Sequence, residues 1–245
     1  MPNQDLGEEA ISKAAEAAMS TQLDEKEGLD VDVHTDPGKV MQGELDAVEI
    51  DGDGLVMNKD LRTEELNIQT DRISINPFKA AFGEIELERP TAASARVVLK
   101  DSDLERAFNS DYIQDKFKDL KIDVDGQSTT VKPKNVQFAL PGNGKIALSS
   151  DVDLVDMEAT KHVGFSATPT MKEGGHQVTL ENVQHHEGKY HSPELTNALI
   201  ESAQELLDLR NFELEGMTLK FQQLDVQQGQ ITLQAKTRIE QFPSE

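Results

Sequence analysis

The chain has 245 residues and carries 46 Asp and Glu against 24 Lys and Arg, a formal net charge of −22. Such acidity repels phosphate backbones and anionic headgroups, and no basic stripe offsets it, so the sequence argues against nucleic-acid binding and for membrane contact that is transient at most. There is no cysteine, which excludes disulfides, thiolate metal ligands and a thiol nucleophile and fits a reducing compartment.

A hydrophobic fraction of 36% is low, yet apolar patterning runs nearly end to end, so the chain reads as folded. With no Trp, two Tyr and nine Phe, its core should be mostly aliphatic. Gly7 to Leu23 predicts a first helix, with a narrow Ala-rich stripe built on Ile11, Ala14, Ala15, Ala18, Met19 and Leu23. Leu29, Val31 and Val33 alternate with polar residues as a strand, and Asp36-Pro37-Gly38 reads as a turn. Leu45, Val48 and Ile50 lead to Asp51-Gly52-Asp53-Gly54, expected to be a tight reversal into Leu55-Val56-Met57. Leu66, Ile68 and then Ile73, Ile75 predict an antiparallel pair around Thr70-Asp71-Arg72. Asn76 to Gly83 reads as a short helical turn, and Ala92 to Leu99 as a further strand.

A second helix is predicted to be capped by Asp101-Ser102-Asp103, with Leu104, Ala107, Phe108, Tyr112 and Ile113 on one side. Turns are expected at Asp125-Gly126-Gln127, at Pro141-Gly142-Asn143-Gly144 (the strongest hairpin signal), at Gly174-Gly175 and at Gln227-Gln228-Gly229, with alternating strands between them. The most legible stretch starts at Ser192, an N-cap followed by Pro193 and Glu194, both favourable in a first turn. Leu195, Ala198, Leu199, Ala203, Leu206 and Leu207 then recur at helical spacing. Beyond Arg210 the period drops to that of a strand: Phe212 and Leu214, then Met217, Leu219 and Phe221, alternate with polar residues. Short connections imply antiparallel pairing, so the expected fold class is α+β, with curved, mainly antiparallel sheets packed on about three helices. No composition break marks a boundary, and residues 1–245 read as one domain.

Catalytic and metal motifs are weak. His176, His185, His186 and His191 cluster, but neighbours on a strand point to opposite faces, so no metal site is expected there. Asp51-Gly52-Asp53-Gly54 and Asp123-Val124-Asp125-Gly126 resemble pieces of a calcium loop without its third ligand or its closing Glu, and hairpin turns explain them better. There is no Gly-x-Ser-x-Gly elbow and no phosphate-binding glycine loop. The expectation is a protein without enzymatic activity or cofactor. Met1 leads into polar sequence with no signal segment, and no run approaches the roughly 20 apolar residues of a spanning helix. That predicts a cytoplasmic protein or one peripheral to a membrane.

Several stretches resemble the bacterial family described as LmeA-like phospholipid-binding: Gly52-Asp53-Gly54-Leu55-Val56-Met57, Leu61 to Leu66, Arg89-Pro90-Thr91-Ala92, Arg106 to Ser110, and Ser192 to Phe212. The resemblance covers residues 7 to 242 and carries no catalytic residue. It implies binding of a phospholipid or similar amphiphile and a fold similar to tubular lipid-binding proteins. On that reading an aliphatic groove between curved sheet and helices holds the ligand, and the candidate lining residues are Leu195, Leu199, Leu206, Phe212, Leu214, Met217 and Leu219. Two other readings stand beside it. The apolar residues can form a plain core, or the chain can be an interaction or assembly module whose acidic surface meets a basic protein partner.

Overall fold

Residues that alternate in polarity bury one face and wet the other, and this period governs most of the chain. The computed structural model describes residues 4–76, 87–116, 120–124, 126–186, 192–206 and 217–240. Thirteen strands and five helices lie among them. The α+β class with curved antiparallel sheets holds, but with more and shorter helices than the predicted three.

A six-stranded antiparallel sheet contains β1 (Gly28–His34), β3 (Ala47–Met57), β4 (Leu61–Thr70), β6 (Thr91–Lys100), β13 (Gln230–Ile239) and β12 (Met217–Gln227), in that spatial order. A five-stranded one contains β11 (Gln177–His185), β10 (Ala159–Lys172), β9 (Lys145–Leu154), β8 (Gln127–Gly142) and β7 (Lys121–Val124). β2 (Glu44–Leu45) and β5 (Ile73–Ser74) make a two-stranded ribbon. The helices are α1 (Gln4–Ser20), α2 (Pro37–Val40), α3 (Asp101–Phe108), α4 (Asp111–Lys116) and α5 (Pro193–Leu206).

Four local expectations are corrected. Asp36-Pro37-Gly38 is not a plain turn: Asp36 caps α2, its Oδ1 accepting from Gly38 N at 2.7 Å, with proline in the first turn. Asp51-Gly52-Asp53-Gly54 does not reverse the chain but lies inside β3, whose register with β4 runs from Glu49↔Gln69 to Met57↔Leu61. Gly54 absorbs a left-handed φ of 56° within the strand, and a Cβ there would lie 2.5 Å from the Glu27 side chain. The reversal falls at Asn58 and Lys59, both with positive φ. Ile73 and Ser74 pair with β2 instead of returning along β4.

The fourth correction is the second helix, which breaks into α3 and α4. At the break Asn109 turns its carboxamide to β8, accepting from Val136 N at 3.0 Å and donating to Val136 O at 2.7 Å. A side chain committed to a strand in this way ends a helix more effectively than propensity would. Lys100, not the Asp101–Asp103 run, occupies the N-cap of α3 and makes no side-chain capping bond.

The sealed core sits on the five-stranded sheet. Ile122, Val124, Val131, Val152, Leu154 and Val163 close around Leu195 of α5, and Phe138, Leu140, Ile146, Phe165 and Ala167 close around Ile200 of the same helix. Val226 of β12 joins the second group and so ties the two sheets together. Each fully buried aliphatic side chain contributes about 1.5–3 kcal/mol. Phe108 of α3 adds a tilted ring contact with Phe138 at 5.6 Å between centroids.

Candidate functional site

The six-stranded sheet has two unlike faces. Residues directly opposite one another in an antiparallel ladder share a face, so the register defines rows across all six strands. One row runs Val31, Ile50, Ile68, Ala95, Ala235, Phe221, and the next runs Leu29, Gly52, Leu66, Val97, Leu233, Leu224. Both are wholly apolar. A bulge at Gln222 keeps Leu224 on the same face as Phe221.

Most of this face is less sealed than the core, although at the β12 end Leu224 packs against the second core group. On the five-stranded sheet Val131, Val152 and Leu154 are 0% exposed. In these rows Val31 and Gly52 are comparably sealed, towards the β1 end; Ile50, Ile68, Leu66, Val97, Leu233 and Phe221 are half-buried. α1 explains the sealed end: it packs along β1, and Ser12 Oγ accepts from the edge amide of Val33 at 2.9 Å.

The opposite face is polar. One row runs Asp32, Glu49, Gln69, Ser94, Lys236, Lys220, and its neighbour Asp30, Asp51, Asn67, Arg96, Gln234, Gln223. Glu49, Asp51, Asn67, Gln69, Ser94, Arg96, Gln234 and Lys236 border a depression of about 430 Å³. Within it Asn67 donates to Asp51 at 2.6 Å, Gln69 donates to Glu49 at 2.9 Å, and Arg96 holds Glu65 at 2.6 Å.

An ion cluster closes one end of the sheet. Arg62 of β4 binds Glu64 at 2.6 Å, Glu27 at 2.6 Å and Asp103 of α3 at 2.9 Å. Lys100 also pairs with Glu64. These two cations hold the Glu64 carboxyl below the usual carboxylate range, Lys100 contributing first and Arg62 next, while the carboxylates push the Arg62 pKa up. Three carboxylates share two cations, a net charge of −1, so both cations are fully engaged. The cluster positions α3 and offers no spare cation to an anionic ligand.

The residues proposed from sequence are dispersed. Leu195 is fully buried against the five-stranded sheet, and Leu199 packs beside it. Leu206 lies in the last turn of α5, Met217 opens β12, and Leu219 is a half-buried residue of β12 on the apolar face of the six-stranded sheet. Phe212 and Leu214 lie outside the described residues, as does His191. His185 and His186 are exposed at the end of β11. Among the described residues no group of His, Asp and Glu is arranged to hold a metal, and no helix is long and apolar enough to cross a membrane.

Sequence reading missed the continuous rows. Each strand's alternation was visible, but which strands share a sheet was not. It also missed Arg62, whose only local sign was an arginine two residues from a glutamate on a strand.

A family model described as LmeA-like phospholipid-binding matches residues 3–236, nearly the whole chain. No curated protein and no solved structure matches.

Proposed function

From the premise that this chain belongs to the LmeA-like phospholipid-binding family, and so to lipid-binding proteins, we propose that it holds one phospholipid or similar amphiphile against the apolar face of its six-stranded sheet, without chemical change to the lipid. The observation that supports this reading is the contrast in burial between two apolar surfaces of the same chain. Ile50, Leu66, Ile68, Val97, Leu233 and Phe221 are half-buried where the core residues of the other sheet are sealed. Aliphatic area left partly open costs free energy in water, and a lipid tail recovers it at about 0.8 kcal/mol per buried methylene without needing directional partners. Six strands at about 4.8 Å each give a strip roughly 24 Å across, the scale of one acyl chain. Leu219 belongs to this surface; Leu195, fully buried, serves the packing of α5.

Native mass spectrometry of the purified protein, followed by organic extraction, tests the reading. The expected result is a bound phospholipid that survives gel filtration and is recovered intact. An Ile68→Glu variant is expected to lose it while retaining the unfolding transition of the parent. A clean ligand-free mass with no gain after incubation with liposomes sinks the proposal and favours the interaction-module reading. Hydrolysed lipid after incubation would make the protein an enzyme.

A further inference from the structure

The polar face of the six-stranded sheet is bipolar, and we propose that it is a self-complementary surface on which two copies of this chain associate face to face. The inference is independent of lipid binding. β1 and β3 present Asp30, Asp32, Glu49 and Asp51, while β13 and β12 present Lys236 and Lys220. A concentration of cations is unexpected in a chain of net charge −22. The pairing of Lys220 directly opposite Lys236 is more so, because like charges facing each other across strands destabilise a sheet. Both lysines are exposed, and among the described residues neither makes an ion pair. Asp32 is exposed as well; at the other edge the turn Glu173–Gly175 packs beside the stem of Lys220, which remains exposed.

The strand order decides the symmetry. A two-fold axis parallel to the strands, lying between the two facing sheets and midway between β4 and β6, places β1 over the partner's β12 and β3 over its β13. Rows then face their own copies. Asp32 meets Lys220, Glu49 meets Lys236, Asp51 meets Gln234, and no carboxylate faces a carboxylate in the two rows. Each contact occurs twice, as an isologous interface requires. An axis perpendicular to the strands would instead stack β1 on β1 and set acid against acid.

A flat sheet of this extent would present roughly 700 Å² per copy at ~4.8 Å per strand and ~3.3 Å per residue; the curvature and the central depression confine contact to part of it, below the ~800 Å² per partner of a standard interface. The depression between Asn67 and Gln234 leaves room for bridging water, as polar interfaces commonly do. Repulsion between the remaining acidic surfaces is largely screened beyond about 8 Å at physiological salt, whereas the contact bridges, shorter than that length, are screened less. Exposed ion pairs contribute ~0.2–1 kcal/mol each, so the association is weak and reversible.

Sedimentation velocity over a concentration series, on three full-length chains, tests it. The parent is expected to show a monomer–dimer equilibrium. Asp32→Lys with Glu49→Lys in one variant, and Lys220→Glu with Lys236→Glu in another, should each weaken self-association at least ~tenfold by turning attraction into repulsion. An equimolar mixture of the two variants should restore it, since every bridge is re-formed with its sign reversed. A parent that stays monomeric to its solubility limit overturns the proposal. So does a dimer that ignores the swaps, which would place the interface on another surface.

Discussion

Arg62 reaches three carboxylates from three parts of the chain: Glu64 on its own strand, Glu27 ahead of β1, and Asp103 on α3. Its side chain is 17% exposed and that of Asp103 is 11% exposed, so removing the cation leaves a carboxylate largely out of water with no countercharge. Arg62→Ala is expected to destabilise the fold by about 3 kcal/mol, the lower end for breaking a buried pair, because Glu27 stays solvated. Replacing both members, Arg62→Met with Asp103→Leu, should recover most of that loss, since apolar packing can substitute for a buried pair when no charge is left behind. Urea midpoints of the parent, the single and the double variant decide it. An Arg62→Ala midpoint equal to the parent's would show that the cluster contributes nothing. This role was not legible in the sequence: Glu64 is two residues away, but Asp103 lies 41 residues downstream, and nothing local links them.

At the scale of elements, turn chemistry was legible and pairing was not. Asn143 and Gly144 both take positive φ between β8 and β9, as an Asn-Gly hairpin demands. Asp51-Gly52-Asp53-Gly54 has similar composition but lies within a strand, because Leu66 and Asn67 of β4 hold it in register. Alternation states which face a residue takes and is silent on which strand lies beside it; hence the pairing of β13 with β6, residues more than a hundred apart, could not be read. Gly175 shows how tightly the two sheets are joined. Its φ is +101°, and a Cβ would sit 2.1 Å from Phe221 O of β12, so Gly175→Ala adds a steric clash with backbone to the cost of its dihedral. At Gly144 a Cβ meets nothing within 4 Å and only the dihedral cost remains. Gly144→Ala should therefore cost about 1–2 kcal/mol, and Gly175→Ala clearly more, read as thermal midpoints of the two variants. Equal losses would mean that the turn after β10 does not bear on β12 in solution.

For the molecule as a whole, the uneven sealing of its apolar surfaces sets where a ligand can act. Leu195 and Ile200, both buried, fasten α5 onto the five-stranded sheet, whereas the apolar rows of the six-stranded sheet remain mostly half-buried. The α5 face was the more conspicuous in sequence because its helical period and cap sit in one continuous stretch. The rows are assembled from six separate strands and exist only once those strands pair. Hydrogen exchange separates the two locations. In the ligand-free chain the amides of β8, β9 and β10 should exchange slowest, since opening them exposes the sealed core. Loading with phospholipid should then slow exchange in β4, β6 and β13, by an amount that grows with free lipid as mass action requires, and leave β8 to β10 unchanged. Slowing confined to α5 and the five-stranded sheet would move the lipid to the helix face around Leu199 and would require that core to open on loading.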